Sequence, residues 1–564
     1  MNMVKKHFSR LMLMVLIAEL SFLPSHAQVC LEKDPVKDIR LAIRKSREPK
    51  CKFNASTPIS SEASENLALA NWQTSPLWGQ EIIGSDLATD FLSMHPQKSN
   101  VRVAIVDIFG PLEARSPTAK NASELLGPIT SERSHGNQVM DLIEDPMFGG
   151  SSQVTWTQFS SADQLMRLSD SQAQIVNISM GDFSVDISEH QYDEVARFVQ
   201  SGKTVVKSAG NAFPENSRYD DIPGLIRVGA MEPNGLVSPY SQNGATVMVP
   251  ASGIFNSAKE TFGGTSAAAP LTTASLINVM AYLPAISSDE INKLIERTSI
   301  PTFEAKLTGN KKNMLNSYKM VRIAECLSHF STTNLNDDLV NGRPRKCFDF
   351  SADSKKAKVD GELKIRAGSC ELLEKGIKKL REAFLLDPSD ILAKDLAAAY
   401  RKAGYETNAL FFESLTSSKA AQHQYVLRVS SDLTERESPY FAFSSFYRIE
   451  SLPLIATASR LPPDNWIKKQ VASEIESKAK SNSKEQKMKA ATQAAAFGPS
   501  GLSILKSLLS DMDRDVSKAA AKGFRALTMH QYDSNWANAT QKFIDAQGLQ
   551  RKIDERLSYE ISNE

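Results

Sequence analysis

Four short apolar runs between residues 101 and 228 constrain this chain most: Val101-Arg102-Val103-Ala104-Ile105-Val106, Ile175-Val176-Asn177-Ile178, Thr204-Val205-Val206 and Leu225-Ile226-Arg227-Val228. Runs this short, rich in β-branched residues and nearly free of charge, read as strands buried on both faces. The stretches between them are amphipathic, and strands interleaved with helices imply a largely parallel sheet. This α/β pattern covers about residues 71–325 and fades beyond 365, where helix signals take over. At 564 residues the chain is too long for one core, and three to four domains are the expectation.

Within 366–564 the apolar positions take helical spacing. Leu373, Ile377, Leu380 and Phe384 step by four, three and four and stop at Asp387-Pro388. A second helix runs from Ile391 to Ala403, Gly404 breaks it, and a third starts near Tyr405 and carries Ala409, Leu410 and Phe412. The arrangement resembles a single tetratricopeptide repeat. Farther on, Leu502, Leu505, Leu508 and Leu509 fill one face, residues 511–515 turn, and Val516, Ala520, Phe524 and Leu527 fill another, which resembles a HEAT-type helix pair. No strict period links these units, so an ordinary all-α domain fits the pattern equally well.

Residues 1–27 place Lys5, Lys6 and Arg10 before an apolar run from Leu11 to Leu23 and end in Ser25-His26-Ala27, the layout of a secretory signal peptide. The run is interrupted by Glu19 and is shorter than the ~20 residues of a membrane span, so no permanent membrane anchor is expected. The expected location is periplasmic or secreted. Losing 1–27 removes Lys5, Lys6, Arg10 and Glu19 and moves the net charge from +1 to −1. That balance offers no basic excess for a phosphate backbone, and no nucleic acid partner is expected. With 41% hydrophobic and 23% charged residues, collagen-like, disordered and multi-pass membrane classes are disfavoured too. All five cysteines follow residue 27; proximity pairs Cys30 with Cys51 and Cys326 with Cys347, leaving Cys370 over, although connectivity does not follow from sequence. Residues 28–70 form a short N-terminal segment, a candidate propeptide, and 326–365 a polar, cysteine-containing linker.

Four segments of the α/β region carry candidate chemistry. A buried strand ends at Asp107, where parallel sheets present functional residues. His135, in Ser134-His135-Gly136-Asn137, opens an amphipathic stretch and could serve as a general base. Asn211 closes Lys207-Ser208-Ala209-Gly210-Asn211, a turn from which an amide could donate to an oxyanion. Ser266, in Gly263-Gly264-Thr265-Ser266-Ala267-Ala268-Ala269-Pro270, sits at the first turn of a small-residue helix, where backbone N–H groups face a nucleophile's product anion. Each of the first three alone is weak, because a turn cap, a surface histidine or a turn asparagine would look the same.

Together, in the order Asp, His, Asn, Ser, these segments resemble the subtilisin-like serine proteases. Leu77-Trp78-Gly79-Gln80-Glu81-Ile82-Ile83-Gly84 resembles the family's mature N-terminal segment, and Asn177-Ile178-Ser179-Met180-Gly181 its substrate-binding strand end. Tyr240-Ser241-Gln242-Asn243-Gly244 and Val249-Pro250-Ala251-Ser252-Gly253 resemble the segments ahead of the nucleophile, and Met314 through Val321 the domain's close. The resemblance implies a three-layer domain with a mostly parallel sheet over 71–325, followed by the helical region. It implies Ser266 as nucleophile, His135 as base, Asp107 as its orienting carboxylate and Asn211 as oxyanion donor. Ser179, Met180, Gly181, Ser208, Ala209 and Gly210 would flank an extended polypeptide substrate as an added strand. No cofactor is implied; calcium sites occur in relatives, but no calcium ligand set stands out here.

Departures accompany the likeness. Ile108-Phe109 intervene between Asp107 and Gly110, so the loop behind the acid is rebuilt. Gln138 stands for a second His, Leu271 for the His that often follows the Pro, Ala267 for a common Met, and Asp182 for a common Gly. Residues 28–70 are shorter than the usual prodomain, and His135 to Ser266 spans only 131 positions. The leading expectation is an exported serine endopeptidase whose helical region docks a protein partner or shields the cleft. Two others stand beside it: a catalytically impaired pseudoprotease that binds peptides, and a helical-repeat scaffold.

Overall fold

The computed structural model describes residues 78–95, 99–107, 134–144, 154–159, 172–179, 189–211, 213, 219, 221–252, 254–255, 261–309, 312–330, 335–429, 453–528 and 534–557. Residues 1–27, where a signal peptide is expected, the 28–70 segment, the loop after Asp107, Met180 and Gly181 lie outside the described residues.

Among the described residues there are ten strands, in chain order β1 (Val101–Val106), β2 (Val154–Phe159), β3 (Ile175–Ile178), β4 (Thr204–Ser208), β5 (Ile226–Met231), β6 (Val247–Pro250), β7 (Ile254–Phe255), β8 (Thr261–Phe262), β9 (Ile300–Pro301) and β10 (Asn313–Met314). Eight of them form one sheet in the order β2-β1-β3-β4-β5-β6-β10-β9, parallel except for the antiparallel edge pair β10–β9. The remaining two, β7 and β8, make a short antiparallel hairpin.

Strand periodicity explains why all four apolar runs lack a polar face. Ala104, Val106, Val176, Ile178 and Val205 point into one core with Val195, Phe198 and Val199 of the helix Glu189–Gln200. Their neighbours Val103, Ile105, Ile175, Val206, Ile226 and Val228 point into the other, with the helices His135–Glu144 and Thr265–Tyr282. Helices therefore cover both faces, giving the expected three layers. The helix Thr265–Tyr282 is buried from Thr265 to Ala281, so it is small or apolar all round rather than striped.

The helical region begins earlier than the composition indicates. Helix Ser317–Ser328 crosses the expected boundary at 325, and the stretch read as a polar linker contains helices Leu335–Asn341 and Ser351–Arg366. Most of its polar residues face outward, although Ser354 is buried, while Leu339, Cys347 and Phe350 enter the main core. Cys326 and Cys347 form the expected disulfide. Cys370 is also disulfide-bonded, which corrects its reading as the leftover thiol; spacing alone could not reveal a longer-range pairing.

Beyond this, Cys370–Leu386, Asp390–Ala403 and Glu406–Ser414 match the helices read from sequence, with Gly404 ending the second, and Leu502–Leu509 with Arg514–Thr528 form the later pair. These helices do not stand apart from the sheet domain. One core runs from β1 through Leu373, Phe384, Leu396, Tyr400 and Phe411, and a second joins Leu236 and Phe303 to Tyr425, Ile455 and Phe497. Gly84 shows the closeness: at φ 73°, a Cβ there would lie 2.4 Å from Leu385 Cδ1 and 3.0 Å from Tyr318 Cβ. Polar ties cross the same boundary, with Arg381 paired to Asp86 (2.9 and 2.6 Å) and Asn316 Nδ2 donating to the Leu385 carbonyl.

Candidate active site

The strand order reverses around β1, since β2 lies on one side of it and β3 on the other. In open parallel sheets the crevice beyond such a point, at the carboxyl ends of the strands, collects functional groups. Asp107 immediately follows β1, Ser179 follows β3, and Gly210-Asn211 follow β4.

His135 is brought to Asp107 by the start of its helix, where Ser134 Oγ accepts from the Asn137 amide as a cap does. His135 Nδ1 lies 2.6 Å from Asp107 Oδ1, and Asp107 is fully buried. A carboxylate can only accept here, so Nδ1 carries a proton, and in the neutral imidazole the lone pair is then on Nε2. The imidazole also packs edge-on against Phe262 from β8, with centroids 5.2 Å apart. Nine residues along the same helix, burial and then repulsion from Asp141 push the Glu144 carboxyl up to about 7.

Asn211 is fixed through its oxygen. Oδ1 accepts from both the backbone N–H (2.9 Å) and the hydroxyl (2.8 Å) of Thr265. The Thr265 hydroxyl in turn accepts from the Gly210 amide at 3.2 Å. With its oxygen used twice over, the carboxamide turns its Nδ2 donors the other way. Gly210 is required by this turn, since at φ 98° any Cβ would fall 1.4 Å from Gln242 Oε1.

Ser266 is the second residue of helix Thr265–Tyr282 and is 4% exposed. Its Oγ donates to the Ser179 carbonyl at 2.8 Å, so its single proton is directed there in this structure. Pro270 has no N–H to close the helical bond to the Ser266 carbonyl, which loosens the first turn at the serine. Ser179 is itself held: Asn177 Nδ2 donates to Ser179 Oγ at 2.9 Å, and Thr273 Oγ1 donates to Asn177 Oδ1 at 2.8 Å.

The expected substrate segments fare differently. The Ala209 amide is committed to the Val228 carbonyl and the Gly210 amide to Thr265, while the Gly210 carbonyl accepts from Gln242. The amides of Ala209 and Gly210 are therefore not available to an added strand. Among the described residues no cluster of three or more His, Cys, Asp or Glu side chains could hold a metal, and no helix is long and apolar enough to cross a membrane. Sequence reading passed over Thr265 and Asn177, although Thr265 adjoins the serine and a hydroxyl beside a nucleophile was a visible signal.

Residues 130–341, a little over a third of the chain, match the model of the subtilase family, which supports a serine protease domain in this part of the chain. His135, Asn211 and Ser266 fall within the matched span and Asp107 precedes it. Among solved structures, the self-cleaved protease domain of PatA is 20% identical over 36% of this chain and 90% of its own, with a TM-score of 0.31. The serine protease of Aeromonas sobria is 17% identical over 36% of this chain and 51% of its own (TM-score 0.31). A protease of Pseudoalteromonas arctica is 18% identical over 42% and 94% (TM-score 0.32). A search of curated proteins finds no match.

Proposed function

We propose that the protein is an exported serine endopeptidase that hydrolyses peptide bonds through an acyl-enzyme. The observation that carries this reading is the 2.6 Å bond from His135 Nδ1 to a fully buried Asp107, which leaves Nε2 as the ring atom for proton transfer at the C-terminal edge of the sheet. Ser266 Oγ attacks the scissile carbonyl and gives its proton to Nε2; Asp107 stabilises the imidazolium that forms. The carbonyl oxygen becomes an oxyanion, and the Asn211 Nδ2 donors, oriented by Thr265, receive it. The imidazolium then protonates the leaving amine, and water repeats the cycle to release the acid. For the first step the Ser266 hydroxyl must leave the Ser179 carbonyl and bond to His135; such bonds commonly tighten only with substrate bound. Ser179 and the two residues after it supply the edge on which an extended substrate pairs. The disulfide Cys326–Cys347 fits an oxidising compartment and supports export by the 1–27 signal.

A second reading, a catalytically impaired peptide-binding protein, rests on the same Ser266–Ser179 bond, which leaves the serine without a base. Labelling of the mature chain by a fluorophosphonate, read by intact mass, separates the two. A single adduct lost in Ser266→Ala and His135→Ala is expected; a folded chain that takes no adduct would refute the endopeptidase.

A further inference from the structure

The turn that carries Asn211 is not held by the sheet alone. Two backbone rungs bracket it: the Gln242 amide donates to the Gly210 carbonyl at 3.0 Å, and the Phe213 amide donates to the Tyr240 carbonyl at 3.0 Å. Asn211 lies between these rungs, so the segment 238–242 sets where its backbone sits. That segment is fixed on one side by β5, through Ser238 N to Ala230 O (2.9 Å) and Ala230 N to Ser241 Oγ (3.1 Å).

On its other side lies Arg460, the last residue of helix Pro453–Arg460 in the helical region, with a side chain only 4% exposed. Its Nη2 donates to three carbonyls of the one segment, those of Ser238 (3.2 Å), Pro239 (3.4 Å) and Ser241 (3.0 Å). Its guanidinium carbon lies 3.9 Å above the centre of the Phe213 ring. The nearest carboxylate, Glu304, is 3.8 Å from Nη1 and is already bonded to Lys312 at 2.7 Å. A buried cation is costly unless its surroundings satisfy it, and here the satisfying groups are mostly backbone carbonyls of the loop. The guanidinium thus grips both strands of the bracket, the 238–241 carbonyls by hydrogen bonds and the 211–213 turn through Phe213.

We propose that Arg460 is a positioning residue for the oxyanion-binding Asn211, so that the helical region completes the active site of the protease domain. This inference rests on the endopeptidase reading above. Arg460 touches no reacting atom; it acts by holding the 238–242 segment, which holds Gly210 and Phe213. A small displacement of an oxyanion donor lowers the rate of the chemical step while leaving initial binding alone, because the oxyanion exists only after attack.

The test is saturation kinetics of fluorophosphonate labelling on the full mature chain. Arg460→Met removes the grip, and Phe213→Leu removes the ring beneath it and serves where Arg460→Met does not fold. Either variant, with an intact thermal transition, is expected to lower the maximal labelling rate by about 10–100-fold with half-saturation within about twofold, and Arg460→Lys to recover part of the loss. In an Asn211→Ala background the same substitution should cost less than about threefold, because the group it positions is gone. Wild-type rates in a folded variant, or a loss fully additive with Asn211→Ala, would overturn the inference while leaving the endopeptidase standing. A wild-type chain that takes no adduct would overturn both.

Discussion

Replacing Arg381 with Met tests whether the helical region is part of the protease fold or an appendage to it. Arg381 belongs to helix Cys370–Leu386, its side chain is 2% exposed, and it pairs with Asp86 through both terminal nitrogens at 2.9 and 2.6 Å. Nη1 also donates to the Glu81 carbonyl at 2.7 Å, and Tyr400 OH reaches the buried Glu81 carboxylate at 3.3 Å. An exposed pair would contribute about 0.2–1 kcal/mol. Asp86, however, is only 14% exposed at its side chain, so removing the cation strands one largely buried carboxylate and weakens the setting of a second. The expected loss is about 3–5 kcal/mol. If the two parts unfold as one unit, calorimetry should show a single transition lowered by roughly 3–5 °C. The double variant Arg381→Met/Asp86→Leu should regain a large share, because an apolar pair leaves no stranded charge. A loss below about 1 kcal/mol, or two separate transitions of which only one moves, would refute the argument that one core spans both parts.

Two further outcomes follow from the site. Thr265→Val keeps the shape of the side chain but deletes the hydroxyl that donates to Asn211 and accepts from Gly210; the maximal labelling rate should fall about 5–30-fold, matching the ~1–2 kcal/mol of such bonds, and an unchanged rate would show that Asn211 is oriented by something else. Glu144→Gln bears on pH: burial, then Asp141, raises the folded carboxyl from 4.5 to about 7, so the folded state binds the extra proton between those values and stability from this group is present below about 4.5 and lost as pH rises through 7. The Gln variant should therefore melt higher than wild type at pH 8 and close to it at pH 4.5, by about 1–2 kcal/mol once solvent screening is allowed for, and an equal difference at both pH values would contradict the assignment.

The α/β class was legible because burial on both faces forces β1, β3, β4 and β5 to be apolar at every position but a few, and no solvated element requires that. Asp107, His135, Asn211 and Ser266 could be singled out together because their order resembles that of a known family, and each lies at or just past an element end; taken one at a time, the first three carry little signal. The helices 370–414 were legible from their spacing, whereas nearness in sequence suggested the Cys326–Cys347 bond but wrongly left Cys370 over. Nothing local, in contrast, distinguishes Arg381 and Arg460 from other arginines on helices; their roles arise from carbonyls and a carboxylate more than 200 positions away.

What the amino-acid sequence determined alone is part of the inventory, the four most apolar strands, the helices of strong spacing and the four polar side chains near their ends, because periodicity and termini are local properties of a chain. The tertiary structure decided the rest. It set the strand order that puts Asp107, Ser179 and Asn211 along one edge, the Thr265 hydroxyl that turns the Asn211 amide, and the fusion of helices with the sheet domain through shared cores. Those outcomes depend on which buried polar groups find partners across long loops, and partner choice is a property of the packed whole.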